Sequence, residues 1–93
     1  MTVYWTFPAE EDLATLLMRQ PERADRAAVL AVAAALAAAA ESLARFPSRN
    51  EPGRVAGTRE LIVGHHILVH EVAEGDVHVL RCLGARRSRS HRR

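Results

Sequence analysis

The period of the apolar positions changes twice along this 93-residue chain, and each change marks an element boundary. Residues 2–6 (TVYWT) form a β-branched and aromatic run, which predicts a short strand. Phe7-Pro8 opens a different regime. Proline suits the first turn of a helix, where its missing N–H costs nothing, and Glu10, Glu11 and Asp12 favour the positive end of a helix dipole. Ala9, Leu13, Leu16 and Leu17 follow at helical spacing, so a first helix is expected from about Pro8 to Arg19, ended by Gln20-Pro21. A second helix is expected to start near Pro21 or Glu22. Its seam reads Val29, Val32, Leu36, Ala39, Leu43, Phe46, in alternating steps of three and four, and Phe46-Pro47 stops it. The two helices, joined across Pro21, make a hairpin.

Residues 47–58 (PSRNEPGRVAGT) are rich in Pro, Gly, Ser and Asn and read as a loop. Beyond them the period shortens to two. Residues 59–63, 66–72 and 77–83 are strand candidates, with Gly64 in the first turn and Glu74-Gly75 as a two-residue hairpin turn. That turn sets a register in which Val72 faces Val77, His70 faces Val79, Leu68 faces Arg81 and His66 faces Leu83. On the other face it pairs Glu71 with His78, Val69 with Leu80 and Ile67 with Cys82. The order is β-α-α-β-β-β. The fold class expected is α+β: a helical hairpin packed on one face of a small, mainly antiparallel sheet, with the other face left for a partner or site. One domain, residues 1–85, accounts for the pattern, followed by a basic C-terminal tail, residues 86–93.

Charge separates that tail from the body. Residues 1–85 hold eight arginines against eleven acids, so the body is net −3 and the overall +2 is made by Arg86, Arg87, Arg89, Arg92 and Arg93. Lysine is absent, which matches a genomic composition bias. A single cysteine, Cys82, excludes an intrachain disulfide and fits a reducing cytoplasm. The longest apolar run, residues 27–40, is fourteen residues of which ten are alanine. A spanning helix needs about 20. Neither a membrane segment nor a secretory signal is expected.

The candidate chemistry is sparse. His65, His66 and His70 cluster in sequence, but on a strand His66 and His70 stand roughly 13 Å apart at about 3.3 Å per residue, too far for one metal. No metal or cofactor is called for. Cys82 shares an apolar face with its neighbours and is expected to be buried and inert. Arg81 is the exception in an apolar strand. It needs an anion or an acid, either a salt bridge, with Glu60 the candidate, or a phosphate or acidic partner. Five arginines without aromatics in the tail suit a solvated end, a phosphate-backbone contact or an acidic partner, and cannot stack bases.

Taken in order, the fragments WTFPAEEDL, LARFP, PGRVAGTRELIV and VHVLRCLGAR resemble the RelE/ParE superfamily of toxins from bacterial type II toxin–antitoxin modules, over most of the chain. The β-α-α-β-β-β architecture of that superfamily agrees with the order read from periodicity. The resemblance implies a small cytoplasmic growth inhibitor, silenced by a cognate antitoxin encoded beside it, with which it forms a hetero-oligomer. RelE-like members cut messenger RNA on the ribosome, using basic residues and often a C-terminal Tyr or His. ParE-like members poison DNA gyrase without nuclease chemistry.

Residue by residue, the resemblance matches Arg59 and Glu60 to the family's Arg-Glu-Leu strand, Arg81 to an arginine of the last strand, and Gly84-Ala85-Arg86 to its terminus. Arg59, Arg81, Arg86 and Arg87 are the target- or antitoxin-binding candidates. A nuclease would use Arg54, Arg59, Arg81 and Arg86 to stabilise charge, with His66, His70 or His91 moving protons, because arginine is too basic to do so. Histidines 66 and 70 stand where many members have tyrosines, a histidine common before Gly84 is missing, and no tyrosine follows the last strand. These departures favour the ParE-like branch, a toxin that binds gyrase and is no enzyme. The alternatives are a ribosome-dependent messenger RNA endonuclease and a degenerate, non-toxic domain that only binds its antitoxin.

Overall fold

The computed structural model describes residues 1–19, 25–46, 51–53 and 55–84. Two helices cover one face of a sheet. The elements run β1 (Val3–Trp5), α1 (Phe7–Met18), α2 (Arg26–Ser42), β2 (Glu51–Pro52), β3 (Arg59–Val63), β4 (His66–Ala73) and β5 (Asp76–Gly84). In space the strands lie β1-β5-β4-β3-β2, with β1 parallel to β5 and the remaining pairs antiparallel. The α+β class and the β-α-α-β-β-β order hold, with the two-residue β2 added on the edge inside the segment expected to be a loop.

Local chemistry sets the helix ends. The Thr6 hydroxyl accepts from the Ala9 N–H at the start of α1, where Pro8 sits in the first turn. Asp25 does the same for α2, accepting from the Ala28 N–H at 2.7 Å, so the helix starts at Arg26 and not near Pro21 or Glu22. Residues 20–24 lie outside the described part. The seam of α2 is confirmed at Leu36 and Leu43, both fully buried, whereas Phe46 lies exposed past the helix end.

The core forms where α1 and α2 meet the sheet. Ala9, Leu36 and Ala40 pack on Leu68, Val79 and Cys82, flanked by Val3, Trp5, Leu13, Leu16, Leu61 and Val63. Alanines at the contact let the helix backbones approach the sheet, and each fully buried leucine or valine is worth roughly 1.5–3 kcal/mol of transfer free energy.

Register decides where the chemistry lies. The turn at Glu74-Gly75 has φ of 54 and 80, the primed hairpin geometry, and fixes Val72 opposite Val77, Glu71 opposite His78 and His70 opposite Val79 as expected. Then the strands slip. Val69 pairs Arg81, not Leu80; Leu68 pairs Cys82, not Arg81; Ile67 pairs Leu83; and His66 pairs Gly84. Leu80 is the extra residue of a β-bulge. By moving every later residue of β5 one place, it turns Cys82 into the helix-covered core and leaves Arg81 exposed.

Candidate functional site

At the upper half of β5 the sheet loses a neighbour. Strand β1 ends at Trp5, and the chain turns into α1, so among the described residues the edge of β5 beyond Val79 has no strand beside it. The cap and first turns of α1 take over its backbone groups. The Thr6 N–H and hydroxyl both donate to the Val79 carbonyl, and the hydroxyl also reaches the Leu80 carbonyl at 3.2 Å. Further along α1, Asp12 Oδ2 accepts from the Cys82 N–H at 3.0 Å. A buried backbone donor is thereby satisfied without a strand.

The same carboxylate holds Arg81. Its Nε donates to Asp12 Oδ2 at 2.6 Å and its Nη2 to Oδ1 at 3.0 Å, a bidentate fork. The salt bridge expected for Arg81 exists, but with Asp12 and not Glu60. Glu60 sits in the same row of the sheet as Arg81, with Val69 between them, so it is two strands away. The Arg81 side chain is 52% exposed and the Asp12 side chain 18%. Burial alone would raise the Asp12 pKa, but hydrogen bonds from Arg81 and the Cys82 N–H, with the Arg81 charge, outweigh it and leave the pKa below the ordinary value. The Arg81 pKa is raised in turn, by its hydrogen bond to Asp12 and then by the carboxylate charge. Burial and the Asp12 charge push the Cys82 thiol up to about 11, so it stays a thiol, as its buried position suggests.

Of the other described candidates, Arg59 and His70 are cross-strand partners, and His66 stands apart from them at the other end of β4. His70 is fully buried on the helix-covered face, its Nδ1 3.3 Å from the Leu68 carbonyl. The bulge puts it and Arg81 in different environments, so the shared His66–His70–Arg81 face expected from a regular hairpin does not form. Arg59 opens β3 beside His70 and is half-buried. His66 is half-buried at the far end of β4. Arg54, Arg86, Arg87 and His91 lie outside the described residues. On the face away from the helices, Tyr4, half exposed, stacks on His78 with ring centroids 5.6 Å apart, and Glu71 is the next residue in that row.

Asp12 is the site residue that the sequence pattern did not single out, because it was absorbed into the acidic first turn. A signal was present. Asp12 lies on the stripe of Ala9, Leu13 and Leu16, so one acid of the three points at the sheet.

The chain is similar to known toxins along nearly its whole length. The family of the ParE toxin of the type II toxin–antitoxin system parDE matches residues 3–89. No curated protein matches the chain significantly. Among solved structures, a chain of the chromosomal ParDE system from P. aeruginosa superposes with a TM-score of 0.81 at 18% identity, covering 90% of this chain and 95% of that one. A chain of the RelBE2 toxin–antitoxin complex from Mycobacterium tuberculosis gives 0.65 at 27% identity, over 89% and 95%. A conserved hypothetical protein from Helicobacter pylori gives 0.56 at 18%, over 90% and 93%. A match that spans β1 to the end of β5, on a fold read independently from periodicity, places this chain in the family of ParE toxins of type II toxin–antitoxin systems.

Proposed function

We propose that this toxin stops growth by binding DNA gyrase, without cleaving nucleic acid, and that a cognate antitoxin from the adjoining gene neutralises it in the cytoplasm by covering the Arg81 region. The observation that carries the gyrase reading is the match to the ParE branch across residues 3–89. Two features of the site support a binding role. Arg81 is held by a carboxylate that removes its net charge, and His70, one of the three histidines a nuclease could have used as a proton shuttle, is fully buried on the helix-covered face. Acid–base cleavage of RNA needs a base and an acid within hydrogen-bond reach of the phosphodiester.

A messenger RNA endonuclease is the second reading, favoured by the 27% identity to a chain of the RelBE2 complex. Induction of the toxin, with parallel assays for trapped gyrase–DNA complexes and for cleaved messages on ribosomes, separates the two. Gyrase complexes are expected, and Arg81→Ala should lower their yield about tenfold, the loss of one charge-assisted contact. Cleaved messages that vanish with Arg81→Ala, in the absence of gyrase complexes, would reverse the assignment. Unimpaired growth on induction would leave only a degenerate antitoxin-binding domain.

A further inference from the structure

Arg81 is half exposed, yet it is not a loose surface cation. Its partner Asp12 is fixed on a helix and pinned by the Cys82 N–H through the same oxygen that accepts from the Arg81 Nε. Two elements therefore meet at one carboxylate: α1 supplies it, the backbone of β5 orients it, and a side chain of β5 is clamped by it. A guanidinium has five N–H donors. Asp12 occupies the edge made by Nε and Nη2, and among the described residues the Nη1 side and the second Nη2 proton stay available on a side chain that is 52% exposed.

We propose that Asp12 is a positioning residue that presents Arg81 as an oriented, charge-compensated donor, and that the group it receives is a carbonyl or carboxylate oxygen of a protein partner, not a nucleic-acid phosphate. The inference rests on the reading that the Arg81 region is a binding surface. It follows from two properties of the pair. A clamped guanidinium has already lost the rotamer freedom that a free arginine surrenders on binding, so its remaining donors meet a planar acceptor at little entropic cost. The pair is also close to neutral as a unit. Affinity for a polyanion comes from uncompensated cations that release counterions, which this arginine does not supply. Hydrogen bonding to one planar oxygen acceptor needs direction more than net charge.

The test is a double-mutant cycle on the full chain and its cognate antitoxin, the protein of the adjoining gene, with dissociation constants measured across a salt series. Asp12→Asn keeps an acceptor for the Cys82 N–H but removes the charge. It is expected to weaken binding about fivefold to twentyfold, Arg81→Ala by about tenfold to a hundredfold, and the double variant no more than Arg81→Ala alone. Salt dependence adds a readout that a purely structural role would not move. It should become shallower in Arg81→Ala, where Asp12 is left uncompensated, and steeper in Asp12→Asn, where Arg81 is left uncompensated. Asp12→Glu, which retains the charge and moves the carboxylate, should weaken binding with no change in the salt slope. If Asp12→Asn weakens binding as much without Arg81 as with it, the positioning role is wrong. If Asp12→Asn tightens binding, Asp12 competes with the partner and the proposal fails the other way. Arg81→Ala without effect on the antitoxin or on gyrase would remove the binding surface itself, a distinct result. A 20-nucleotide RNA bound less tightly by Arg81→Ala than by the parent would assign the arginine to phosphate and overturn the choice of partner.

Discussion

One carboxylate does two jobs at Asp12, and its titration reports on both. Because its folded pKa is lowered, the contribution to stability is complete above the unfolded value, near 3.9 for an ordinary aspartate, and is lost as pH falls through the lower folded value. The Arg81 partner is half exposed, so solvent screening keeps the ion pair to about 1 kcal/mol or less. The parent should therefore unfold at higher urea concentration than Asp12→Asn at pH 7, with the gap closing as pH falls below the ordinary aspartate range and the carboxylate takes up its proton. A gap that shows no dependence on pH across the acid range would mean that the loss comes from packing and not from the charge. Cys82 shows how context sorts similar signals. It is adjacent to the most exposed charged side chain of the site, yet its own burial raises its pKa and keeps it out of reach of nucleophilic chemistry.

At the scale of elements, the β4–β5 hairpin is the part that the rest is measured from. Its turn places Glu74 and Gly75 at positive φ, and Gly75 at +80 is a backbone conformation that an L side chain adopts only at a cost. Gly75→Ala should destabilise the fold by about 1–2 kcal/mol, and Glu74→Asn should stabilise it slightly, since Asn tolerates that region better than Glu. Urea midpoints of the two variants moving the same way would contradict this account of the turn. The turn was legible because Glu-Gly between two apolar runs is a local signal, and with it went the register of the four pairs nearest to it. The register beyond was not legible. No glycine or proline marks Leu80, and a bulge that swaps Arg81 for Cys82 on the core face is chosen by packing: Cys82 fits beneath α1 and α2, where an arginine would not. Helix α2 fails in another way. Ten alanines over fourteen residues raise helix propensity evenly, so its start cannot be located from apolar contrast, and the hydrogen bond made by Asp25 decides it. For the candidate site the same physics applies: Arg81 stood out as a charge in an apolar strand, whereas its partner came from 69 residues earlier.

Across the whole molecule, the charges are arranged as a mildly acidic body with an arginine-rich end. Removing residues 86–93 takes away five arginines and nothing from the described sheet, which ends at Gly84. The truncated chain should therefore unfold at the urea concentration of the parent. Its association with an antitoxin should become slower and less sensitive to salt, because the tail acts through long-range attraction. If affinity and salt dependence are both unchanged, the tail has no part in that contact.

The pairing of the first strand with the last has a consequence for the order of synthesis. Val3, Tyr4 and Trp5 find their partners at Val77, His78 and Val79, and the Thr2 N–H reaches Asp76, 74 residues further along. The clamp on Arg81 closes over a similar span. A ribosome making this protein releases its amino end, both helices and β3 before β5 exists, and contacts so distant in sequence cannot reward the chain until nearly all of it has emerged. Nascent chains stalled or truncated before β5 lack the strand to which β1 and Asp12 attach. Topology thus keeps a partial chain from presenting the clamped Arg81: that surface is assembled last, when β5 reaches the residues already waiting for it.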